Sequence, residues 1–362
     1  MEPDITIAFF VTPHGFGHAG RVSALMFALQ AICPRCRFVL FTTVPEFFFI
    51  QSGIRRYVYH RLDNDVGLVQ HSPLEEDLEA TCRRLDRMLP FDDVLTSQLA
   101  SQLKRHACRL VICDIAAMGI VAASKAAIPS VLVENFTWDW IYGNYSHLNA
   151  RFNSYQAYLA QIYAKVDHHI QTEPLCRSVH ADLTVGPISR EPRTPAEQTR
   201  RQLGIADASP MVLVSMGGVA DQFHFIDQLP QHLDFDLVIP GADGIAGARG
   251  RVHLLPTHSS FYQPDLVAAA DALIGKAGYS TIAEAYRCGT PFGYVKRARS
   301  PESAVLEAFI NRHLPSQVIT QESYASARWI DTARELLDQR HDAAKGKNAA
   351  AAAARYLASL LP

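Results

Sequence analysis

Short apolar runs alternate with helix-like stretches along this chain of 362 residues. In the first half, the predicted strands are 5–11, 37–42, 110–113 and 130–134. Helices are predicted between them over 20–32 and 116–127. The strand runs lack polar alternation, which is typical of strands covered by helices on both faces. The pattern therefore predicts an α/β fold built on parallel sheets.

The alternation is interrupted by a segment rich in proline, arginine, threonine and glutamate, 187–210. It then restarts with predicted strands at 211–215, 236–239, 251–254 and 272–274. Because domains average about 150 residues, the length suits two of them. We predict an N-terminal domain over 1–190 and a second α/β domain over 191–345. The alanine-rich segment 346–362 predicts a helix that docks on the body of the protein.

The composition limits the possible partners. Apolar residues make up 48% of the chain and charged residues 19%, with a formal net charge of −2. No overall field attracts nucleic acid or an anionic membrane, so we predict neither as a partner. The N-terminal segment has no basic leader and no apolar run of about 20 residues, so the expected location is the cytoplasm. An odd number of cysteines beside apolar residues suits reduced thiols.

A glycine-rich loop, PHGFGHAGR over 13–21, follows the first predicted strand. Gly15 and Gly17 would let the backbone approach a ligand closely at a helix N-terminus. The loop is not the dinucleotide fingerprint, because two histidines and a phenylalanine crowd it and no acidic residue ends the second strand. His18 suits a general base, since imidazole titrates near neutral pH, with a structural histidine as the alternative. Asp114 would either orient His18 or cap the following helix.

A second site is predicted over 271–284, which reads as strand, glycine turn and helix. The helix N-terminus offers donors to a diphosphate, and Lys276 adds a positive charge. Glu284, one turn beyond Thr281, is expected to accept the ribose hydroxyls, with a capping or exposed glutamate as the alternative. A further glycine turn at 217–218 is expected to face the same crevice. The residues predicted to bind the diphosphate and its ribose are Gly217, Gly218, Lys276, Gly278, Tyr279, Ser280, Thr281 and Glu284.

Aromatic side chains are concentrated in the segment NFTWDWIY over 135–142. Such side chains stack on sugar or nucleoside faces, so the segment predicts a wall of a ligand-binding site, and a buried cluster is the alternative. The residues predicted to line this site are His14, Gly15, Gly17, Asn135, Trp138 and Asp139. The Asp63-Asn64-Asp65 triplet mimics a D-x-D metal motif. We predict no metal there, because it lies far along the chain from the predicted diphosphate site.

Together these motifs resemble the GT-B glycosyltransferases, including the UDP-N-acetylglucosamine transferase of peptidoglycan synthesis. The most specific likeness is a G-x-x-T-x-x-E pattern over 278–284, followed by CGTP over 288–291. The segments that are similar to the glycosyltransferase-like N-terminal region of plant L-arabinokinases and its free-standing bacterial relatives are 14–21, 65–70, 135–142 and 300–302. No kinase phosphate loop is found, so phosphorylation is not expected.

The resemblance implies two Rossmann-like domains that face each other across a cleft. It implies the donor diphosphate on 278–281, the ribose on Glu284, the donor sugar near Glu302, and His18 beside the reacting sugar. The aromatic segment 135–142 and the residues predicted with it then lie on the acceptor side. The expected activity is a metal-independent, inverting transfer of a hexosyl or N-acetylhexosaminyl group from a nucleotide sugar, preferably a UDP-sugar, to an unidentified acceptor, without a cofactor. The alternatives are an epimerase of the same fold, which would need carboxylates on both faces of the sugar, and a nucleotide-sugar-binding regulatory protein without turnover.

Overall fold

Two seven-stranded sheets organise the chain, each in a unit of its own. The computed structural model describes residues 4–217, 223–297, 299–339 and 344–361. Unit 1 contains the chain up to Val69, then Glu76–Ile188 and the segment from Ala349 onward. Unit 2 contains Gln70–Glu75 and Ser189–Asn348.

The strands, in chain order, are β1 (Ile5–Val11), β2 (Cys36–Thr42), β3 (Tyr57–Arg61), β4 (Gln70–Ser72), β5 (Glu75–Glu76), β6 (Cys108–Asp114), β7 (Ser130–Glu134), β8 (His168–Thr172), β9 (Leu183–Val185), β10 (Met211–Ser215), β11 (Asp236–Pro240), β12 (Gly247–Arg249), β13 (Val252–Leu255), β14 (Ala272–Lys276), β15 (Phe292–Val295) and β16 (Ser316–Ile319). The helices are α1 (Phe16–Ile32), α2 (Glu46–Gln51), α3 (Leu78–Met88), α4 (Asp93–Arg105), α5 (Ala117–Ala126), α6 (Trp138–Tyr145), α7 (Phe152–Tyr163), α8 (Ala196–Leu203), α9 (Gln263–Ala269), α10 (Tyr279–Cys288), α11 (Ser303–His313), α12 (Gln321–Ala325), α13 (Ile330–Asp338) and α14 (Ala350–Ser359). A 3₁₀ helix spans His224–Gln228.

The sheet of unit 1 is parallel throughout, in the order β3-β2-β1-β6-β7-β8-β9. Both of its faces are covered, which explains the continuous apolar runs in the sequence. Phe9 packs with α1 and α14 on one face, and its neighbour Phe10 packs with helices α3 to α7 on the other. The strand order reverses between β1 and β6, so the crevice that binds ligands in such folds lies at the carboxyl ends of these two strands.

The sheet of unit 2 has the order β12-β13-β11-β10-β14-β15-β16, with only the edge strand β12 antiparallel among the described pairs. Leu213 and Leu273 pack under α9, α10 and α11, while Val214 and Ile274 pack against α13 on the opposite face. Here the strand order reverses between β10 and β14. The equivalent crevice is therefore formed by the residues after Ser215 and Lys276.

Two helix and strand boundaries differ from prediction in ways that matter for the site. Helix α1 begins at Phe16 rather than at residue 20, because Gly15 makes the turn alone with a φ of 71°. His18 therefore lies in the first turn of a helix. Strand β6 extends to Asp114, and Ala116 is the N-cap of α5, so Asp114 is not a helix cap.

The C-terminal helix α14 belongs to unit 1. Its buried face packs against α1, where Ala353 and Leu357 share a core with Leu25 and Leu29. Alanines on this face let the two helices approach closely. Among the residues described, none of the helices combines the length and the apolar character needed to cross a membrane.

Candidate functional site

The carboxyl ends of β1 and β6 in unit 1 hold a buried cluster of charged and polar side chains. The first turn of α1 places the His18 Nδ1 atom 2.6 Å from Oδ1 of Asp114, the last residue of β6. One helical turn further on, Arg21 donates from Nε to Asp114 Oδ2 at 2.7 Å and from Nη2 to Oδ1 at 2.8 Å. His18 is 8% exposed, Arg21 1% and Asp114 0%. The cluster is therefore held away from water and has little conformational freedom.

The charge of Asp114 is maintained in spite of its burial. Burial alone would raise the pKa of this carboxyl, but the positive charge of Arg21 and the contacts with His18 outweigh it and hold the pKa below its usual range. An ionised carboxylate only accepts hydrogen bonds, so the proton between the two groups belongs to His18 Nδ1. The Nε2 atom of His18 makes no hydrogen bond to the described residues, and in the neutral ring with its proton on Nδ1 this atom carries the lone pair.

Asn135 lies behind this cluster, at the end of β7. Its Oδ1 accepts from Nη1 of Arg21 at 2.8 Å, and the residue is fully buried. The Nδ2 atom has no hydrogen-bond partner among the described residues. Asn135 therefore helps to hold the Arg21 guanidinium in the position from which it contacts Asp114.

An aromatic wall adjoins the cluster. Phe136 lies edge-on to the ring of His18 at 5.7 Å, and Trp138 lies edge-on to Phe136 and to His14, both at 5.4 Å between centroids. His14 also packs so closely on Gly67 that a side chain there would come within 2.7 Å of its Nδ1 atom. The structure thus brings His14 and Trp138 together, whereas Gly17 lies inside α1.

Asp65 anchors the aromatic wall. Its carboxylate accepts a hydrogen bond from the indole nitrogen of Trp138. Burial raises the pKa of Asp65 to about 7, and the hydrogen bond from Trp138 opposes part of this effect. Asp63, by contrast, lies at the surface with Arg84 3.1 Å away. The two acids of the D-x-D-like triplet therefore have different surroundings and do not face one site.

Asp139 is the remaining acceptor-side residue in this part of unit 1. It lies in the first turn of α6 and is 6% exposed. Its Oδ2 is 3.7 Å from Nη2 of Arg177, and its Oδ1 has no partner among the described residues. Within the part of the chain that the structure describes, no hydrogen bond or ion pair joins Asp139 to His18 or Asp114.

In unit 2, the turns after β10 and β14 meet around Lys276. Its side chain passes 3.4 Å from the place where a Cβ of Gly217 would lie and 3.7 Å from that of Gly278. Gly217 has a φ of 74°, which favours glycine. Gly278 is the N-cap of α10 and no side chain caps this helix, so its first backbone N–H groups have no acceptor within the helix. A positive charge and a helix N-terminus are thereby brought together, which is an arrangement that binds anions.

Glu284 lies on the buried side of α10, 3% exposed. Its Oε1 accepts from Nε of Arg190 at 3.1 Å and lies 3.0 Å from Nη2 of the same residue. Burial raises the pKa of Glu284, and Arg190 counteracts part of this effect. The glutamate is therefore neither a helix cap nor exposed, which excludes both alternative interpretations of the sequence.

The other predicted donor-binding residues have varied surroundings. Tyr279 and Thr281 are buried in the first turn of α10, and Ser280 is half-buried. Glu302 is the N-cap of α11 and accepts from Arg297 at 3.1 Å within its own loop. Gly218 lies outside the described residues.

Two arginines belong to these sites although no role was predicted for them. Arg21 could have been found from its spacing, because residues three apart on a helix share a face and His18 precedes it by three. Arg190 gives no such signal, since it lies in the irregular segment before α8.

The comparison of sequences points to one curated relative. An L-arabinokinase from Arabidopsis thaliana is 28% identical over 305 residues, covering 81% of this chain but 28% of that protein. The chain therefore corresponds to less than a third of the relative's length. No family model matches the sequence.

Solved structures similar to this one are glycosyltransferases. The calicheamicin glycosyltransferase CalG4 has a TM-score of 0.61 at 15% identity, with 99% of this chain and 98% of that chain covered. The spinosyn forosaminyltransferase SpnP has a TM-score of 0.59 at 13% identity, with 98% and 99% covered. A UDP-glucosyltransferase from Polygonum tinctorium has a TM-score of 0.59 at 13% identity, with 99% and 98% covered. Both resemblances predicted from the motifs are confirmed: the chain has the GT-B glycosyltransferase fold and is similar in sequence to part of an L-arabinokinase.

Proposed function

We propose that this chain transfers a sugar from a nucleoside diphosphate to an acceptor hydroxyl, with inversion at the anomeric carbon. The observation that carries the proposal is the buried His18–Asp114 pair, in which the carboxylate holds Nδ1 and so favours the tautomer with its lone pair on Nε2. A histidine fixed in this tautomer is prepared to accept a proton. The acceptor oxygen then attacks the anomeric carbon as the bond from that carbon to the diphosphate breaks, and its proton moves to Nε2.

In this mechanism Asp114 acts mainly by orienting the imidazole. Arg21 already balances the charge of Asp114 through contacts with both carboxylate oxygens. The carboxylate thus fixes the ring and its tautomer, as the acidic member of a triad does. Arg21 is itself fixed by Asn135, so a chain of hydrogen bonds positions the base.

The departing diphosphate would be stabilised by unit 2. The N-terminus of α10 and Lys276 supply a helix dipole and a positive charge where negative charge develops. Glu284 would bind the ribose, and Glu302 the sugar. The N-terminus of α10 and Lys276 would stabilise the diphosphate without a divalent ion. Asp63 and Asp65 lie in different surroundings, so we propose that the transfer is independent of metal ions.

The proposed donor is a UDP-sugar, of hexosyl or N-acetylhexosaminyl type. Among the similar structures, one is a UDP-glucosyltransferase and another, VinC, is a complex with dTDP. Both names point to pyrimidine nucleoside diphosphates, so dTDP-sugars are the first comparison. The acceptor side, with Trp138 and His14 in contact, favours a compound that stacks on aromatic rings.

The test is turnover with a panel of UDP-, dTDP- and GDP-sugars, measured as release of nucleoside diphosphate in the presence of hydroxylated acceptors. We expect release with one donor class, and a loss of about 10² to 10⁴ in kcat for His18→Ala. Donor affinity should stay near that of the parent, because a general base adds little to ground-state binding. If His18→Ala kept more than about a tenth of the parental kcat with unchanged stability, the proposed mechanism would be wrong.

A nucleotide-sugar-binding protein without turnover is the second candidate. It is suggested by the match to one part of a larger kinase, the L-arabinokinase. Such a protein would be stabilised by a nucleotide sugar in a thermal-shift assay but would release no nucleoside diphosphate with any donor. The same panel therefore separates the two functions.

A further inference from the structure

Arg190 and Glu284 form a buried ion pair within unit 2. Nε of Arg190 is 3.1 Å and Nη2 is 3.0 Å from the same oxygen, Oε1 of Glu284. The two residues are 7% and 3% exposed. A carboxylate at this depth would be strongly disfavoured without a charged partner, and the Arg190 guanidinium favours the ionised form of Glu284.

The ion pair engages only one oxygen of the Glu284 carboxylate. Because both contacts fall on Oε1, the second oxygen, Oε2, accepts no hydrogen bond from the described residues. An ionised carboxylate oxygen without a donor is suited to accept hydroxyl groups. A ribose carries two adjacent hydroxyls that donate to such an acceptor.

Arg190 is itself held in place. Its guanidinium carbon lies 5.1 Å from the ring centre of Tyr262, which Arg193 also approaches, at 4.5 Å. The backbone N–H groups of Arg193 and Thr194 bind Oδ1 of Asp265 at 2.6 Å and 3.1 Å, which fastens this segment to α9. The planar guanidinium is thus fixed by stacking and by a fastened backbone before any ligand arrives.

We propose that Arg190 is the positioning residue for ribose recognition, aiming Oε2 of Glu284 at the hydroxyls of the donor nucleotide. This inference rests on the proposed function, in which Glu284 binds the ribose. Arg190 acts through Glu284. Its loss should therefore change selectivity for the sugar of the nucleotide more than binding of the diphosphate.

The experiment compares the dissociation constants of UDP and 2′,3′-dideoxy-UDP by calorimetry. The parent should prefer UDP by on the order of ten- to a hundredfold, as expected for hydrogen bonds to a charged acceptor. Glu284→Gln should lose most of this preference. Arg190→Lys keeps the positive charge but not the planar fork, and it should reduce the preference to less than about threefold. Affinity for dideoxy-UDP should stay near the parental value.

Arg193→Lys is the matched control, because Arg193 stacks on the same tyrosine and makes no hydrogen bond to Glu284. It should keep the parental preference. If Arg190→Lys does not fold, the double variant Arg190→Met with Glu284→Gln replaces it, because removal of both charges leaves no unpaired buried ion. Its melting temperature shows whether it is folded. It should show no preference. A double variant that still preferred UDP would also contradict the proposal.

The outcomes distinguish the assignment of the ribose to Glu284 from the positioning role of Arg190. A parent that binds UDP no better than its dideoxy analogue would refute the assignment of the ribose to Glu284, and Arg190 would lose its role with it. A parent that discriminates, together with an Arg190→Lys variant that discriminates equally, would overturn the role of Arg190 and leave the ribose assignment in place.

Discussion

Arg21 donates hydrogen bonds to both carboxylate oxygens of Asp114, the residue that also accepts from His18. The three side chains come from the first turns of one helix and the end of one strand. Substitutions in this cluster should therefore change both the free energy of unfolding and kcat.

We predict strong coupling between Arg21 and Asp114. Arg21→Met and Asp114→Asn each leave a buried group without its partner and should each cost about 3 to 5 kcal/mol of unfolding free energy. The double variant should lose much less than the sum, because no unpaired charge remains. A double-mutant cycle in urea measures this. Additive losses would contradict the coupling.

The same double variant should fold but have a much lower kcat when release of nucleoside diphosphate is measured. An asparagine at position 114 can donate to His18 Nδ1 as well as accept from it, so the tautomer is no longer fixed and kcat should fall by about 10² or more.

Lys276→Met should weaken binding of UDP by on the order of tenfold and leave binding of uridine unchanged, because the ammonium group is expected to contact the diphosphate. Calorimetry with the two ligands checks this. Equal losses for both would show that Lys276 supports the fold of the loop instead. Lys296→Met, an exposed lysine paired with Glu307, is the control and should alter neither affinity.

Removal of divalent metal ions should leave turnover unchanged. The diphosphate is expected to be held by α10 and Lys276, and the acids of the triplet are held apart, Asp63 by Arg84 and Asp65 by Trp138. The measurement is nucleoside diphosphate release after treatment with EDTA. Activity that disappears and returns with Mn²⁺ would contradict the expectation.

Asp65 should make stability fall as pH rises. Its pKa is about 7 in the folded protein, raised from 3.8, so between these values the folded protein holds a proton that the unfolded chain has released. The contribution is fully present below about pH 4 and is lost as pH rises through 7. Asp65→Asn should remove this slope from urea unfolding curves between pH 4 and 8. Asp63→Asn, at the surface, should preserve it.

Gly275→Ala should destabilise unit 2. A Cβ at this position in β14 would lie 1.9 Å from the backbone oxygen of Ser215 in the neighbouring strand β10, which cannot move without disrupting their pairing. The expected loss is about 3 kcal/mol in urea unfolding. Gly186→Ala, where a Cβ would meet nothing within 4 Å, is the control and should change stability by less than about 1 kcal/mol. Equal effects of the two substitutions would contradict the steric argument.

The fold followed closely from the sequence because its strands are buried on both faces. β1, β7 and β10 have the predicted bounds, since apolar runs of this kind have few alternatives. The predicted start of α1 at residue 20 was wrong by four residues, because the helix begins at Phe16. Gly17 was interpreted as a loop residue and Gly20 as the start of the helix, whereas packing of α1 against the sheet outweighs the low helix propensity of Gly17.

The sites were less accessible to prediction. The spacing of His18 and Asp114 along the chain says nothing of their distance, which depends on β1 and β6 being neighbours in the sheet. That adjacency follows from the fold class, so the pair could be suggested. The partnership of Glu284 with Arg190 could not, because it depends on the path of an irregular segment. Asp65 was interpreted as part of a metal-like triplet and of the segment 65–70 that resembles the L-arabinokinases, and its burial beside Trp138 emerged from the structure.

The position of α14 has a consequence for how the molecule is made. Unit 1 consists of stretches separated by nearly the whole of unit 2, and α14 covers the apolar side of α1 around Leu25 and Leu29. As the chain leaves the ribosome, unit 2 is complete before unit 1 can be. Until Ala349 and the residues after it emerge, α1 exposes an uncovered apolar stripe to water, so the part of unit 1 that contains His18 cannot be completed until unit 2 has been synthesised.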